Sequence, residues 1–215
     1  MNIATFAAPP FFENAYLVSC DETGDAVVID PGDAVEELIA HAAKARVRVT
    51  AILLTHAHLD HVSGVARAKR AFNVPVWLHR DDLFLYNGVV EQGRMFGLSL
   101  EQPPPADHFY GPNERLTFGK YVVDVRHTPG HCPGGVCLAI GRAGAPDDQR
   151  ELFVGDTLFE GSIGRVDLPG GDLDVLLTSI RQQLLVFPDA TIVHSGHGPD
   201  TTVGGEKAMN PFLTD

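Results

Sequence analysis

Seven consecutive residues, Thr55-His56-Ala57-His58-Leu59-Asp60-His61, carry three histidines and an aspartate, and no other stretch constrains the chain so strongly. A single histidine is an ordinary surface residue. Four ligand-type side chains in six positions are metal-site chemistry, because imidazole and carboxylate are the common donors to divalent ions. The apolar run Ala51-Ile52-Leu53-Leu54 before the cluster reads as a buried strand, and Val62, Val65, Ala66 and Phe72 after it recur at helical spacing. The cluster therefore sits on a strand-to-helix loop. In extended chain His56 and His58 point to the same side, since the side-chain period is two, so they can grip one metal together. Asp60 and His61 fall where the chain turns into the helix and can reach a second, adjacent metal.

Three further ligand-type residues lie in glycine-bearing loops, each directly after a strand. His131 ends Thr128-Pro129-Gly130-His131, behind the strand Lys120–Val125. Asp156 follows Leu152-Phe153-Val154 and Gly155, and His197 lies in Ser195-Gly196-His197-Gly198-Pro199 behind the strand Ala190–His194. Glycine lets the backbone turn tightly enough to aim a side chain, so four strand ends can converge on one edge of a fold.

The rest of the chain reads as scaffold. Strands are expected at 3–8, 15–20 and 26–30, separated by Pro9-Pro10 and the Thr23-Gly24-Asp25 turn. Asp33 and Glu36 read as the N-cap and capping-box partner of an amphipathic helix carrying Val35, Leu38, Ile39 and Ala42. A strand at Val74–Leu78 and a helix from near Arg80 follow. From Asn87 to Glu114 the periodicity fades, and Pro103-Pro104-Pro105 with Gly111-Pro112 predicts a long irregular excursion in which Met95-Phe96 are candidates to border a substrate cavity. A β-hairpin or meander at 116–127, a strand at Val136–Ile140 and a helix with Leu173, Leu176, Leu177, Ile180 and Leu184 on one face complete the reading.

At 215 residues with no linker, one domain spanning 1–215 is expected. The net charge of −12 argues against nucleic acid, which calls for a basic stripe. Cys20, Cys132 and Cys137 are odd in number and form no C-x-x-C pair, which fits a reducing compartment. No basic segment precedes Pro9-Pro10 as in a secretory signal, and no apolar run approaches the ~20 residues of a membrane span. A cytoplasmic protein with no membrane partner is expected.

Taken together, Thr55–His61, Thr128–His131, Gly155–Asp156 and Gly196–His197 resemble the metal-binding motifs of the metallo-β-lactamase superfamily, in order and rough spacing across residues 14–208. The resemblance implies a four-layer αββα sandwich, an α/β fold with two mixed sheets. It implies that His56, His58 and His131 hold one divalent ion, Asp60, His61 and His197 a second, and Asp156 bridges them. Zinc is the first candidate, with iron and manganese as others. Gly161-Ser162-Ile163-Gly164-Arg165, Leu168-Pro169-Gly170-Gly171-Asp172, Gly196–Pro199 and Asn210-Pro211-Phe212-Leu213 look like the short glyoxalase II-like proteins of bacteria, which are similar to hydroxyacylglutathione hydrolases. That implies hydrolysis of a small-molecule thioester of the S-lactoylglutathione type, with Asp60 orienting the attacking water. The C-terminal helical domain with which full-length enzymes help hold glutathione is expected to be absent.

Arg165 and Asp167 stand where those enzymes place a lysine and a tyrosine against glutathione, so Arg165 is the expected substrate contact and glutathione specificity is open. Ser195 stands where many relatives have proline. The principal alternative is a persulfide dioxygenase using one iron, whose centre leaves part of this ligand set unused. Lactonase or other metallohydrolase activity, or a metal-binding module without catalysis, are further alternatives. Cys132, although next to His131, is expected to be a small loop residue, and Cys20 and Cys137 core. His41, His79 and His108 are expected at the surface; His127 and His194 lie at strand ends near the site, where either is a candidate to support a ligand, though neither is expected to. Asp30 ends a strand at the ligand edge and is a candidate to orient a ligand histidine.

Overall fold

The computed structural model describes residues 1–146 and 149–214, which form two compact units. The first comprises residues 1–110 with 118–120, and the second residues 111–117 with 121–215.

The first unit is built on a six-stranded sheet ordered β1 (Asn2–Phe6), β2 (Ala15–Ser19), β3 (Asp25–Ile29), β4 (Arg48–Leu53), β5 (Val76–Leu78) and β6 (His108–Phe109). β1, β2 and β3 pair antiparallel, whereas β3 through β6 run parallel. The change follows from the connections. Short connections without a helix join the first three strands, while α1 (Val35–Ala45) crosses over between β3 and β4. α1 buries Val35, Leu38 and Ala42, one face at helical spacing, and ends where Arg46 adopts the left-handed conformation and its N–H reaches the carbonyls of Ala42 and Ala43. The parallel strands end at the ligand loop after β4, as expected for binding loops at the carboxyl ends of such strands.

Three expectations need correction here. The capping box is absent: α1 has no side-chain cap, Asp33 Oδ1 instead accepts from Ser63 Oγ at 2.8 Å, and Glu36 pairs with Arg67. The helix after the ligand loop is two helices, α2 (Leu59–Val62) and α3 (Val65–Phe72). Gly64 lies at the break, its N–H bonded to Pro31 O at 2.8 Å, so close that a Cβ would stand 2.4 Å from the carbonyls of Pro31 and Gly32. The excursion after Asn87 is also more regular than its sequence suggests. After a 3₁₀ turn at Arg80–Asp82 and α4 (Leu83–Asn87), it contains α5 (Val89–Met95), which packs on α2. Val89 and Gly93 are its buried residues, too few for a visible apolar period.

The second unit carries β7 (Arg115–Phe118), β8 (Tyr121–His127), β9 (Val136–Arg142), β10 (Glu151–Gly155), β13 (Ile192–Ser195) and β14 (Thr201–Thr202) in the sheet order β14-β13-β10-β9-β8-β7. β11 (Leu158–Phe159) and β12 (Ser162–Ile163) form a separate small hairpin. β8, β9 and β10 pair antiparallel, and β10 then runs parallel to β13 across the crossover helix α6 (Leu173–Ser179). Asp172 caps α6 by accepting from Val175 N at 3.0 Å. Its last turn is a π-helix, Ile180–Leu184, which keeps Leu176, Ile180 and Leu184 on the core side with Leu152, Val154 and Val193. α7 (Val203–Met209) closes the unit. No helix among the described residues is long and apolar enough to cross a membrane.

Candidate metal centre

In the first unit the loop after β4 is held from behind by carboxylates. Asp30, at the end of β3 with φ +46°, receives Thr55 N on Oδ1 at 2.7 Å and Thr55 Oγ1 on Oδ2 at 2.5 Å. Its Oδ2 also lies 3.0 Å from His61 Nδ1. An ionised carboxylate only accepts, so His61 carries its proton on Nδ1 and Nε2 is the nitrogen a metal would take. Thr55 Oγ1, which donates to Asp30, is 3.1 Å from His56 Nδ1 and accepts from it, fixing His56 in the same sense. Asp30 thus makes the contact to His61 that an orienting residue needs.

Two further supports escaped sequence reasoning. Asp82, fully buried, accepts Ala57 N at 3.1 Å and so holds the residue between the two histidines. Glu13 approaches His61 Nδ1 to 3.8 Å. Both acids are distant in sequence from the loop, and nothing beside them in the sequence marks them as buried.

His56, His58 and His61 are buried, with the His56 ring 4.8 Å from that of His58 and 4.1 Å from that of His61. Extended backbone at His58 keeps the His56–His58 pair on one side, as the two-residue period requires. Asp60 lies in the first turn of α2, its Oδ2 3.9 Å from His61 Nε2. Met95 and Phe96 end α5 exposed, with Phe96 edge-on to Phe11 at 5.7 Å.

In the second unit three strand ends meet. Gly130, at φ +129°, leaves no room for a side chain, because a Cβ would stand 2.3 Å from Leu176 N on α6. His131 follows, its Nδ1 donating to the main-chain oxygen of Arg165 at 2.7 Å, which again leaves Nε2 as the ligand nitrogen. Asp156 Oδ2 lies 3.7 Å from His131 Nε2 and 3.7 Å from His197 Nε2. The β10 and β13 loops are tied together by Gly196 N on Gly155 O at 2.8 Å, and Ser195 Oγ donates to Leu158 O at 2.8 Å. The hydroxyl thus makes an anchor that proline could not.

These donors fit divalent ions. The 3.7 Å separations are too long for hydrogen bonds, and two donors 2.0–2.1 Å from one tetrahedral zinc sit roughly 3.4 Å apart. Asp156 has imidazole nitrogens at that spacing on two sides, as a carboxylate shared between two ions needs. No cysteine joins a candidate ligand group among the described residues; Cys132 is buried beside His131.

The guanidinium of Arg165 is bonded on two atoms by Asp167, Nε to Oδ1 and Nη2 to Oδ2, both at 2.7 Å. Arg165 holds the Asp167 carboxyl down at about 2. Arg165 thus serves His131 through its backbone and presents an exposed, oriented guanidinium. His127 Nε2 donates to Pro133 O at 2.9 Å, and His194 faces Glu151 and Asp200, so neither histidine supports a ligand ring by these bonds.

The sequence profile of the metallo-beta-lactamase superfamily matches residues 8–197, which include all seven ligand-type residues, and the chain belongs to that superfamily. It has the metallo-β-lactamase fold with mixed α/β sheets. It is 37% identical over 215 residues to the hydroxyacylglutathione hydrolase GloC of Haemophilus influenzae, covering 99% of this chain and 98% of that protein. Among solved structures it is similar to the B3 metallo-beta-lactamase BLEG-1, at 39% identity, full coverage of both chains and a TM-score of 0.89. It also resembles TTHA1623, solved in a di-iron-bound form, at 43% identity, 98% and 100% coverage and a TM-score of 0.86. Membership makes a metal-dependent hydrolase the functional class.

Proposed function

We propose that the two ligand sets work as one dinuclear centre, in a single catalytic domain, that hydrolyses thioesters of the S-lactoylglutathione type. The observation that carries the reading is Asp156 Oδ2, equally distant from His131 Nε2 and His197 Nε2. His56, His58 and His131 would hold one ion and Asp60, His61 and His197 the other, with Asp156 between them. Bound there, the two ions supply an acidified water and a Lewis acid for the acyl carbonyl.

The chain's own residues set the geometry. Asp30 and the Arg165 carbonyl keep the ring protons of His61 and His131 on Nδ1. Asp60, an acceptor when ionised, orients the attacking water through a hydrogen bond. A thiolate leaves readily, so no separate general acid is required. Arg165 offers charge-assisted hydrogen bonds to a carboxylate on the thiol part of the substrate. Similarity to GloC supports a glutathione-derived substrate, and similarity to a di-iron-bound structure keeps iron beside zinc and manganese as the metal. The three free cysteines, all buried, suit a reducing, cytoplasmic setting.

Metal analysis of the purified protein, coupled to a panel of glutathione thioesters, coenzyme A thioesters, lactones and a β-lactam, tests the proposal. Two metals per chain with preferential thioester cleavage is expected. A fully metallated protein that cleaves no thioester sinks the reading, and one iron per chain with oxygen consumption replaces it by persulfide oxidation.

A further inference from the structure

A buried histidine that the proposed chemistry leaves unused lies at the foot of the loop carrying His197. His194 sits on β13, three residues before His197, and is 5% exposed. Its ring stacks on Phe153 of β10, with centroids 4.6 Å apart and planes 23° from parallel. The two residues are cross-strand partners in the parallel β10–β13 pairing. Nε2 lies 2.7 Å from Glu151 Oε2 and Nδ1 3.0 Å from Asp200 Oδ1. The Glu151 contact is a hydrogen bond and the Asp200 contact an ion pair, so the ring holds both carboxylates only when it is charged. Burial alone would pull its pKa down, but Glu151 and Asp200 more than reverse this and leave it raised. Glu151 faces the ring from β10 and Asp200 from the end of the loop, and both raise its pKa.

Asp200 directly precedes β14, which returns antiparallel to β13 with Val193 opposite Thr201. Residues 195–199 therefore form a loop whose two feet, His194 and Asp200, are joined through the imidazole. Gly196 and Gly198 flank His197 at its tip, Gly198 at φ +75°. Two glycines give the tip wide conformational freedom, which something must restrict if His197 is to point one way. On the entry side Gly196 is bonded to Gly155 O. On the exit side the Asp200–His194 contact closes the loop.

We propose that His194, clasped between Glu151 and Asp200, is a positioning residue that closes the 195–199 loop and so fixes the direction of His197. The inference rests on the reading of His197 as a metal ligand. It extends that reading by naming a residue that touches neither metal nor substrate.

Hydrogen exchange on the full-length, metal-free protein tests the clasp directly. At pH 7 the amides of Gly196, His197 and Gly198 in Asp200→Ala are expected to exchange on the order of tenfold faster than wild type, with β10 and β13 unchanged. Asp200→Glu, which keeps a negative charge for the ring to pair with, is expected to restore most of the protection. After correction for intrinsic exchange, the gap between wild type and Asp200→Ala narrows as pH rises through the raised pKa of His194, because the neutral ring bonds one carboxylate at most.

Co²⁺ titration then asks what the clasp does. One of two binding steps is expected to weaken by about 10–100-fold in Asp200→Ala while the other holds. Equal loop exchange in variant and wild type, loosening spread evenly over the whole sheet, or a loosened loop with both Co²⁺ affinities intact would each overturn the proposal. A wild type that takes up no Co²⁺ defeats the dinuclear reading instead, and the exchange data alone then decide whether the clasp holds the loop.

Discussion

The two units assemble their ligand-type residues by opposite means. In the first, four come from one seven-residue loop, and the groups behind them are buried carboxylates, Asp30 under Thr55 and His61 and Asp82 under Ala57. In the second, three come from three strand ends, and the supports are main-chain oxygens, Arg165 O behind His131 and Gly155 O behind Gly196. A carboxylate behind an imidazole strengthens it as a donor, but a single substitution deletes it. A carbonyl survives any side-chain change. The first set is therefore vulnerable through its supporting side chains, the second through the glycines that let its backbone approach.

The largest effects test whether the two sets share one centre at all. His58→Ala from the first unit and Asp156→Ala from the second are each expected to lower kcat/KM for a thioester by more than ~10³-fold, beyond the loss of one oxyanion-hole donor. Metal content measured on the same samples should fall in both. If Asp156→Ala hydrolyses normally, the second set is not part of the catalytic centre, and the comparison is between an active site and a bystander.

The next effect separates the two kinds of support. Asp30→Ala leaves the donors of Thr55 and His61 buried without their acceptor, at a cost of about 1–3 kcal/mol in chemical denaturation for an orphaned buried donor. Metal affinity, read by competition with a chelator, should fall by about 10–100-fold. Arg165→Ala removes the guanidinium but keeps the carbonyl that holds His131, so its metal affinity should match wild type while KM for glutathione thioesters rises. Equal metal loss in the two variants would erase the distinction between carboxylate and main-chain support.

Equal in stability but smaller in its effect on metal binding is the change at a glycine on the second side. A Cβ on Gly164 would meet Asp156 O at 1.9 Å and His131 Cγ at 3.1 Å. Gly164→Ala is expected to cost about 1–3 kcal/mol, the usual range for overpacking, and to reduce metal content without any change in ligand chemistry. A variant of wild-type stability would mean that the β11–β12 hairpin yields easily, and that the second set is less rigid than its tight packing implies.

The same contrast explains what could be read before the fold was known. Thr55–His61 was legible because its donors are contiguous and its strand is apolar, so one local rule, the two-residue period, already paired His56 with His58. His131, Asp156 and His197 were legible only as residues in similar glycine loops, and their meeting depends on β10 and β13 being parallel neighbours, which local periodicity does not encode. Asp33 misled because a cap is a local pattern that tertiary contact can override: Ser63, thirty residues on, took the side chain. α5 was missed since its apolar side is spent on two positions, and Asp82 because a buried acid looks like a surface acid until its partner, Ala57 N, is known.

The carboxylate-rich support of the first unit also carries a pH signature that main-chain support lacks. Asp33 is half-buried, and its Oδ2 has no hydrogen-bond partner among the described residues. Burial raises its pKa, the Ser63 hydrogen bond opposes this, and repulsion from Asp60 raises it further, leaving it above the ordinary 3.8. For an acid whose folded pKa is raised, the folded state holds the proton longer than the unfolded one. Stability is therefore undiminished below the unfolded pKa, falls as pH rises from there through the folded value, and stays level at the lower plateau above it. Asp33→Asn removes the charge and keeps an oxygen for Ser63. In metal-free protein it should gain a few tenths of a kcal/mol at pH 7, screened because the group is partly solvated, and nothing near pH 3. Urea midpoints at the two pH values measure this. Metal bound at Asp60 would neutralise the repelling charge and shrink the gain, so an equal gain with and without metal would mean that burial, rather than the crowding of carboxylates around the first ligand set, raises the Asp33 pKa.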